Sequence, residues 1–564
     1  MLLPKEHVGI LEGMIIGDTS YVSDEVKNNF RDSGISHLLA VSGSNVAYIL
    51  ILCKFAFEKI FGRNVSNFLT ILFIVLFSML SGMSASVVRA AIMAIVIILS
   101  EFLIQKPNTY ASISFSALLI LLYNPITIYD VGFVLSFSGT IGIVIFNKKI
   151  SELLESKIKI DKDKIIGKII AVFIETLSVT LSAQIAVTPI TLYYFNTFSC
   201  VSILANLIIV PATGSITIVG IIMYVTSLVC VPIAKVISYF IYSIISFVIF
   251  AASLFAQIPG SSILLPTPSI IIILMYYIIV YNLFFAKNKK VYVILLATIS
   301  VLIIMKFIPN KYINVNMIDV GQGDAVYVET AKGKTVLVDS GGTEGSDYDI
   351  GENTLVPYIL DRGKVCIDYA FLSHMHEDHI EGIYAVIQKL KLKNLIIGKQ
   401  ETDNELYSKV VELANKYNVN IIEVKQGDEL IIDGVIFDVI SAKENDKNVN
   451  NMSLILRMTY GEVSMLFTGD AEKELEENIN VKTNILKVSH HGSKTSSTEE
   501  FLKKNMPQVA LVSVGENNSY GHPNKEVLER LKKINAYIYR TDLNGEIYMR
   551  LYKNGKIRIN TKIK

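Results

Sequence analysis

The stretch Ser373-His-Met-His-Glu-Asp-His-Ile380 carries the densest chemistry in the chain. His374 and His376 lie two apart, so their rings converge in an extended turn, and Asp378 and His379 follow at once. Three imidazoles and a carboxylate within six residues offer nitrogen and oxygen donors suited to Zn2+ or Mn2+. A solvated histidine-rich turn is the competing reading. The apolar run at 369–373 argues against it, because it predicts a strand that sets the turn at a sheet edge. Leu466-Phe-Thr-Gly-Asp470 puts a carboxylate after another apolar strand, and Ile485-Leu-Lys-Val-Ser-His-His-Gly-Ser493 puts two histidines after the next. Asn518-Ser-Tyr-Gly-His-Pro523 adds His522, so six of the chain's eight histidines fall at expected strand ends. In an α/β sandwich such loops gather at one rim. A dinuclear site needs ligands for two cations and a bridging carboxylate, for which Asp470 is the natural candidate. Two cations together acidify a shared water near neutral pH and clamp a phosphoryl or carbonyl oxygen.

A second compact motif, Asp319-Val-Gly-Gln-Gly-Asp324, joins glycines suited to a tight turn with two carboxylates within reach of the same rim. A turn with capping carboxylates is the competing reading. To position these groups, the half from Asn310 onward must alternate strand and helix. Its apolar runs predict strands at 312–318, 325–329, 334–339, 369–373, 421–424, 436–440, 453–459, 464–468, 484–488 and 509–514, with helices near 380–390 and 525–534. This half holds 32 Lys+Arg against 37 Asp+Glu, and so lacks the basic surface that nonspecific nucleic-acid binding favours.

The half before Asn310 is basic and apolar, with 20 Lys+Arg against 14 Asp+Glu. Over all 564 residues, 51% hydrophobic content, 18% charged content and a mean hydropathy of +0.47 exclude a wholly soluble or disordered chain. About ten membrane spans are expected, at 37–57, 66–82, 85–104, 111–124, 131–147, 169–195, 199–230, 236–257, 268–286 and 291–308. The seventh contains Pro211 and Gly214 and is expected to be one broken crossing. The loop at 147–168 holds seven lysines, 287–290 holds three, Lys59 and Arg63 mark another loop, and Lys106 a fourth. All four fall on one side if the spans alternate, and that side is the cytoplasm. Residues 1–36 and the polar half then lie outside. Within the spans, Arg89, His37, Ser42, Asn45, Gln184 and Asn206 read as a polar lining of a substrate path, with Arg89 as a phosphate contact; hydrogen bonding between helices is the competing reading. Cys53, Cys200, Cys230 and Cys366 show no CxxC spacing, so no thiolate metal site or disulfide framework is readable. Residues 1–30 lack the apolar core of a cleavable signal.

The HxHxDH run, the strand-ending Val338-Asp-Ser-Gly-Gly342, Thr468-Gly-Asp470 and the His-His-Gly turn resemble the metallo-β-lactamase superfamily over about residues 312–560. The resemblance implies an αββα sandwich with two divalent metal ions at one sheet edge. By that pattern His374, His376 and one histidine of the His490–His491 pair are terminal ligands, while Asp378 and His379 hold the second cation. His490 is preferred, and His491 stays open. Asp378 and His522 are the expected catalytic groups and Ser493 a polar group on the substrate side; a structural role competes for His522. Many members carry a further metal-binding histidine shortly before the Asp470 position. Here none lies between His379 and His490, and Asn451-Met-Ser453 occupies that region. The implied site is therefore incomplete, asymmetric or weaker at one metal.

The segments 34–45, Arg89 with its small neighbours, Asn124-Pro125 with Gly132-Phe-Val-Leu-Ser136, and then 319–324, 374–379 and 487–493 occur in that order. Together they resemble the ComEC family of DNA-internalisation channels across nearly the whole chain. The expected architecture is a multi-pass α-helical membrane domain (37–308) after an outer segment (1–36), followed by the metallo-β-lactamase-like domain (312–560). Membership implies a channel in the cytoplasmic membrane that passes single-stranded DNA, with an extracytoplasmic nuclease-like domain that degrades the other strand. It also implies a DNA receptor, an ATP-driven translocase and a homo-oligomer as partners; no P-loop sequence occurs in this chain. Members commonly add N-terminal spans and an OB-type domain, which this chain is expected to lack. Two other readings compete: a membrane-bound metallohydrolase of lipid or envelope substrates, and a channel whose outer domain binds without turnover.

Overall fold

The computed structural model describes residues 2–102, 108–157, 164–286, 288–343, 345, 348–399 and 404–563. Lys106, Lys287 and residues 158–163, which belong to the basic loops read from the sequence, lie outside the described residues. The chain divides into two compact units, Met1–Lys287 and Asn288–Lys564.

The first unit is helical: α1 (Lys5–Ile15), α2 (Asp24–Asp32), α3 (Gly43–Leu80), α4 (Ala85–Phe102), α5 (Thr109–Tyr123), α6 (Val131–Lys157), α7 (Ile165–Phe195), α8 (Ser202–Val229), α9 (Val231–Ala256) and α10 (Ile270–Tyr281). Two short strands, β1 (Thr197–Ser199) and β2 (Ser262–Leu264), pair antiparallel. Among the described residues six helices, α3, α4 and α6 to α9, are long and apolar enough to cross a membrane by length and composition. They leave large apolar side chains such as Phe68, Leu228 and Phe240 exposed, which suits contact with lipid and not with water. The expected spans 37–57 and 66–82 both fall on α3, whose one non-helical residue is Gly62 with φ 74°. The expected spans 111–124 and 268–286 fall on the shorter helices α5 and α10. The last, 291–308, falls on α11 (Lys289–Phe307), which is grouped with the second unit, so the division between the units comes before this helix and not after it. Of its described side chains only Leu295 is buried.

One expectation is corrected here. Helix α8 runs unbroken through Pro211 and Gly214. The Thr213 hydroxyl donates to the Val210 carbonyl at 2.7 Å, which adds a bond in the turn where Pro211 lacks an N–H. Gly214 admits a neighbour, since an added Cβ would sit 3.0 Å from the Tyr48 ring of α3. The segment 1–36 contributes to the core of the first unit. Ile10, Leu11 and Met14 of α1 and Val26 and Phe30 of α2 share a core with Ile209, Ile216 and Met223 of α8 and Ile241, Ile245 and Val248 of α9. The polar average of the segment conceals two amphipathic helices.

After α11 the second unit is a two-sheet sandwich. One sheet has the order β17-β16-β3-β4-β5-β6-β7-β8, the other β15-β14-β13-β12-β11-β10-β9. The first uses β3 (Tyr312–Met317), β4 (Val326–Glu329), β5 (Thr335–Val338), β6 (Cys366–Leu372), β7 (Lys391–Gly398), β8 (Asn420–Val424), β16 (Ile547–Tyr552) and β17 (Ile557–Thr561). The second uses β9 (Glu429–Ile432), β10 (Val435–Ser441), β11 (Ile455–Tyr460), β12 (Val463–Phe467), β13 (Ile485–Lys487), β14 (Val509–Val512) and β15 (Tyr537–Arg540). Their facing sides close one apolar core that includes Val328, Phe371, Phe437, Met465 and Leu511. The outer helices are α12 (Val356–Asp361), α13 (Glu377–Lys389), α14 (Glu405–Lys416), α15 (Lys473–Glu476), α16 (Glu499–Asn505) and α17 (Lys525–Lys533). Phe501 and Leu502 of α16 and Val527 and Leu531 of α17 pack on Leu486, Ala510 and Val512 of the second sheet. The ladders β5-β6-β7-β8 and β12-β13-β14-β15 are parallel, and ligands in parallel sheets gather beyond the carboxyl ends of strands. Those ends, after β5, β6, β12, β13 and β14, carry the histidine and aspartate motifs.

Candidate metal centre

Beyond β6 the chain delivers Ser373 and His374, then turns into α13 with His376 as its N-cap, so that Asp378 and His379 ride on its first turn. Glycine makes the close approach possible: Gly323 has φ 116°, and a Cβ there would lie 2.3 Å from the Asp378 carbonyl. The Asp324 N–H donates to that carbonyl at 3.1 Å and the Ser340 N–H to the His379 carbonyl at 2.7 Å, so the two glycine motifs wrap the start of α13.

One ligand atom each from Asp378, His379, Asp470 and His491 lies within 4.8 Å of the others. His379 Nε2 is 3.1 Å from Asp470 Oδ1, and His491 Nε2 is 3.1 Å from Asp378 Oδ2 and 3.7 Å from Asp470 Oδ2. Donors bound tetrahedrally to one cation lie about 3.3 Å apart, which matches this set. His379 Nε2 and Asp470 Oδ1 are both buried and neither has a hydrogen-bond partner. Two orphaned buried atoms facing each other are costly unless something positive lies between them, so the residues present fit a divalent cation. Beside this group His374 Nε2 lies 3.2 Å from His376 Nδ1, again a ligand-like separation, and the His374 and His379 rings are 4.2 Å apart.

The second layer fixes each ring. His379 Nδ1 donates to Asp339 Oδ2 at 3.1 Å, and Asp339 Oδ1 accepts from the Ser373 N–H at 2.7 Å. His491 Nδ1 donates to the Ser513 carbonyl at 3.0 Å, and His374 Nδ1 pairs with Ser373 Oγ at 3.0 Å. In all three rings Nδ1 is tied down and Nε2 is left for the centre. The fully buried Lys487 pairs with Asp324 and donates to the Gly469 carbonyl at 3.1 Å, which holds the turn before Asp470.

Of the neighbouring histidines, His491 and not the preferred His490 joins the four-residue group. Both have left-handed backbones, φ 49° and 51°, which sends their rings to different sides at a cost of roughly 1–3 kcal/mol each. His490 lies outward, 3.7 Å from Asp470 and 3.5 Å from Glu472. The 451–453 region supports the rim from below. Ser453 Oγ accepts from the Asp470 N–H at 3.1 Å and Asn451 Oδ1 from the Glu472 N–H at 3.2 Å. Ser493 is buried with its hydroxyl 3.1 Å from that of Thr495, and His522 stands 5.9 Å, ring to ring, from His490.

The electrostatics are lopsided. Burial opposes ionisation of Asp470 and Asp378, yet His379 above all holds both carboxyls well below the usual carboxylate range. Burial likewise opposes charge on His379 and His491, and Asp470 outweighs it, raising both imidazoles. The field that draws protons there also attracts a cation. Burial pushes His374 and His376 down, as it does His522.

Sequence reading missed four participants. Asp339 stood inside a quoted motif without a role, and Glu472 and Ser373 gave no signal. Lys487 did: a lysine inside the apolar run of β13 announces a buried partner. Of the motif at 319–324, Asp324 joins the buried network, while Asp319 caps its turn by accepting from the Gly321 N–H at 3.2 Å.

In the first unit, Arg89 is buried. Its Nη1 donates to the Ser136 carbonyl at 2.7 Å and its Nε has no hydrogen-bond partner. Among the described residues no carboxylate pairs with it. Asn45 donates to the Met14 carbonyl and lies 3.4 Å from the Thr217 hydroxyl, and Gln184 bonds Ser202 at 3.3 Å, so both tie helices together. Asn206 bonds the Ser202 carbonyl of its own helix at 2.7 Å, Ser42 bonds Ser44, and His37 is exposed in the turn Ser36–Leu39.

Residues 14–290 match the family described as Competence protein and residues 318–516 the Metallo-beta-lactamase superfamily. The chain is 31% identical to ComE operon protein 3 of Bacillus subtilis, over 98% of this chain and 72% of that protein. It is 29% identical to Competence protein ComA of Neisseria gonorrhoeae, over 44% of this chain and 34% of that one. Among solved structures, the metallo-beta-lactamase fold protein YhfI from Bacillus subtilis superposes with a TM-score of 0.30 at 12% identity, over 44% of this chain and all of YhfI.

Because Asp339 orients His379, Asp339→Asn is expected to weaken Zn2+ binding by about 10–100-fold. Equilibrium dialysis of the detergent-solubilised full chain against radioactive zinc measures it. Unchanged affinity would remove Asp339 from the account.

Proposed function

The chain belongs to the ComEC family of competence proteins, and from that premise we propose that it passes single-stranded DNA across the cytoplasmic membrane while its second unit hydrolyses the strand left outside. It is a multi-pass membrane protein with a metallo-β-lactamase domain. The observation that carries the hydrolytic reading is the pair of orphaned buried atoms, His379 Nε2 and Asp470 Oδ1, 3.1 Å apart at the rim of that domain.

Asp378, His379, Asp470 and His491 would hold one divalent cation, and His374 and His376 would contribute to a second. When bound, the two cations supply a nucleophile at neutral pH and offset charge on the phosphoryl oxygens. The chain's own part is placement. Asp339, Ser373 and the Ser513 carbonyl fix the imidazoles before substrate arrives, so no reorganisation is spent during reaction. His522, whose imidazole is pushed down by burial and by His490 and His491, serves as a proton acceptor on the open side of the centre. Glu472 accepts from Asn448 at 3.0 Å and Thr495 at 3.3 Å and keeps a carboxylate beside His490.

In the first unit the guanidinium of Arg89 contacts the phosphates of the passing strand. A buried cation whose partners are one carbonyl and the Phe137 ring at 5.7 Å, with no paired carboxylate among the described residues, is costly to keep for structure alone. The basic loops face the cytoplasm and the two-sheet sandwich lies outside, next to a DNA receptor; a separate ATP-driven translocase pulls the strand inward.

His374→Ala and Asp378→Ala are each expected to abolish Mn2+- or Zn2+-dependent cleavage of a fluorescent strand by the full chain in detergent. Cleavage at the wild-type rate in both would remove the metal assignment. Arg89→Ala is expected to reduce transformation frequency in cells while strand cleavage by the purified protein persists. Normal transformation would assign Arg89 to structure.

A further inference from the structure

Tyr520 is a large aromatic residue left 57% exposed on the loop that leads from β14 to α17. Its ring stacks on His522 with centroids 6.0 Å apart and planes 16° from parallel. From His522 a series of rings runs inward. His490 is 5.9 Å away, His491 a further 6.4 Å, and His379 5.5 Å beyond that. The loop is firmly seated. Asn518 accepts from the His522 N–H at 3.0 Å and donates to the His522 carbonyl at 2.8 Å, closing the turn on both sides. The Asn524 N–H donates to the Gly492 carbonyl at 2.8 Å, and Gly492 brings the His-His-Gly turn so close that an added Cβ would lie 2.6 Å from Pro523. An exposed aromatic on a mobile loop needs no explanation. One braced against the ligand turn, stacked on an imidazole and leading to the cation group, does.

We propose that Tyr520 and His522 form a stacking platform for a nucleobase, so that a strand whose phosphodiester lies at the metal group rests a neighbouring base on the Tyr520 ring. Base stacking on an aromatic side chain suits this task, because every base has a π-face and the contact carries little sequence preference. The platform also discriminates among phosphodiesters: a lipid headgroup carries the phosphate but no base. This inference rests on the strand-hydrolysing reading of the second unit and names what that site recognises besides phosphate.

The test uses the full chain in detergent with MnCl2 and two short single strands with hydrolysis-resistant phosphorothioate linkages. One is oligothymidylate and the other is built from abasic units. Fluorescence anisotropy is expected to show the wild type binding the base-bearing strand roughly tenfold more tightly than the abasic one. Tyr520→Ala is expected to bind both alike at the abasic level, and Tyr520→Phe to keep the preference. Equal binding of both strands by the wild type, or a preference that survives in Tyr520→Ala, overturns the platform. Retained manganese content in each variant excludes misfolding as the cause. A parallel assay with an unmodified strand separates the two ideas. Cleavage without base preference sinks the platform and leaves the hydrolytic reading standing; base preference without cleavage does the reverse.

Discussion

The rim of the second unit is organised around one carboxylate. Asp470 is 2% exposed and faces His379, His491 and His490 at 3.1 to 3.7 Å. An ionised carboxylate buried to this degree must be neutralised nearby, or it destabilises the fold by several kcal/mol. The imidazoles answer part of that requirement, and two atoms are still left unsatisfied. The rest of the site reads as arrangement around this demand: Lys487 and Gly469 set the turn below it, Ser453 holds its N–H, and Asp339 and Ser513 aim the rings at it.

That arrangement depends on two parallel ladders. The candidate donors come from the turn after β6 in one sheet and from those after the neighbouring strands β12 and β13 in the other, roughly a hundred residues later in the chain. The sandwich core, with Phe371 and Phe437 stacked at 5.1 Å across it, sets the distance between those sheets and so the distance between His379 and Asp470. A shift of one residue in β12 against β13 would move Asp470 away from the His-His-Gly turn by about 3.3 Å. Packing and chemistry are thus one constraint.

What was legible in the sequence follows from where information is local. The 374–379 cluster was readable because its histidines and Asp378 are contiguous, and most strands were readable from apolar runs. The choice between His490 and His491 was not, because adjacent residues are separated only by backbone torsions that no composition signals. The roles of Asp339, Ser373 and Glu472 depend on partners across strands. The amphipathic α1 was hidden in a polar average, and α8 stayed whole because Gly214 serves the neighbouring Tyr48 ring and not a break. The pair β16 and β17 was overlooked because its partner β3 lies at the other end of the domain.

The central claim is that the buried carboxylate Asp470 belongs to a donor set, drawn from both sheets, that would hold divalent cations. Anomalous diffraction at the zinc edge from crystals of the zinc-loaded full chain tests it most directly. The account predicts one peak among Asp378, His379, Asp470 and His491 and a second beside His374 and His376. Zinc-saturated crystals with no peak at either position, or with peaks only at surface residues, would contradict it.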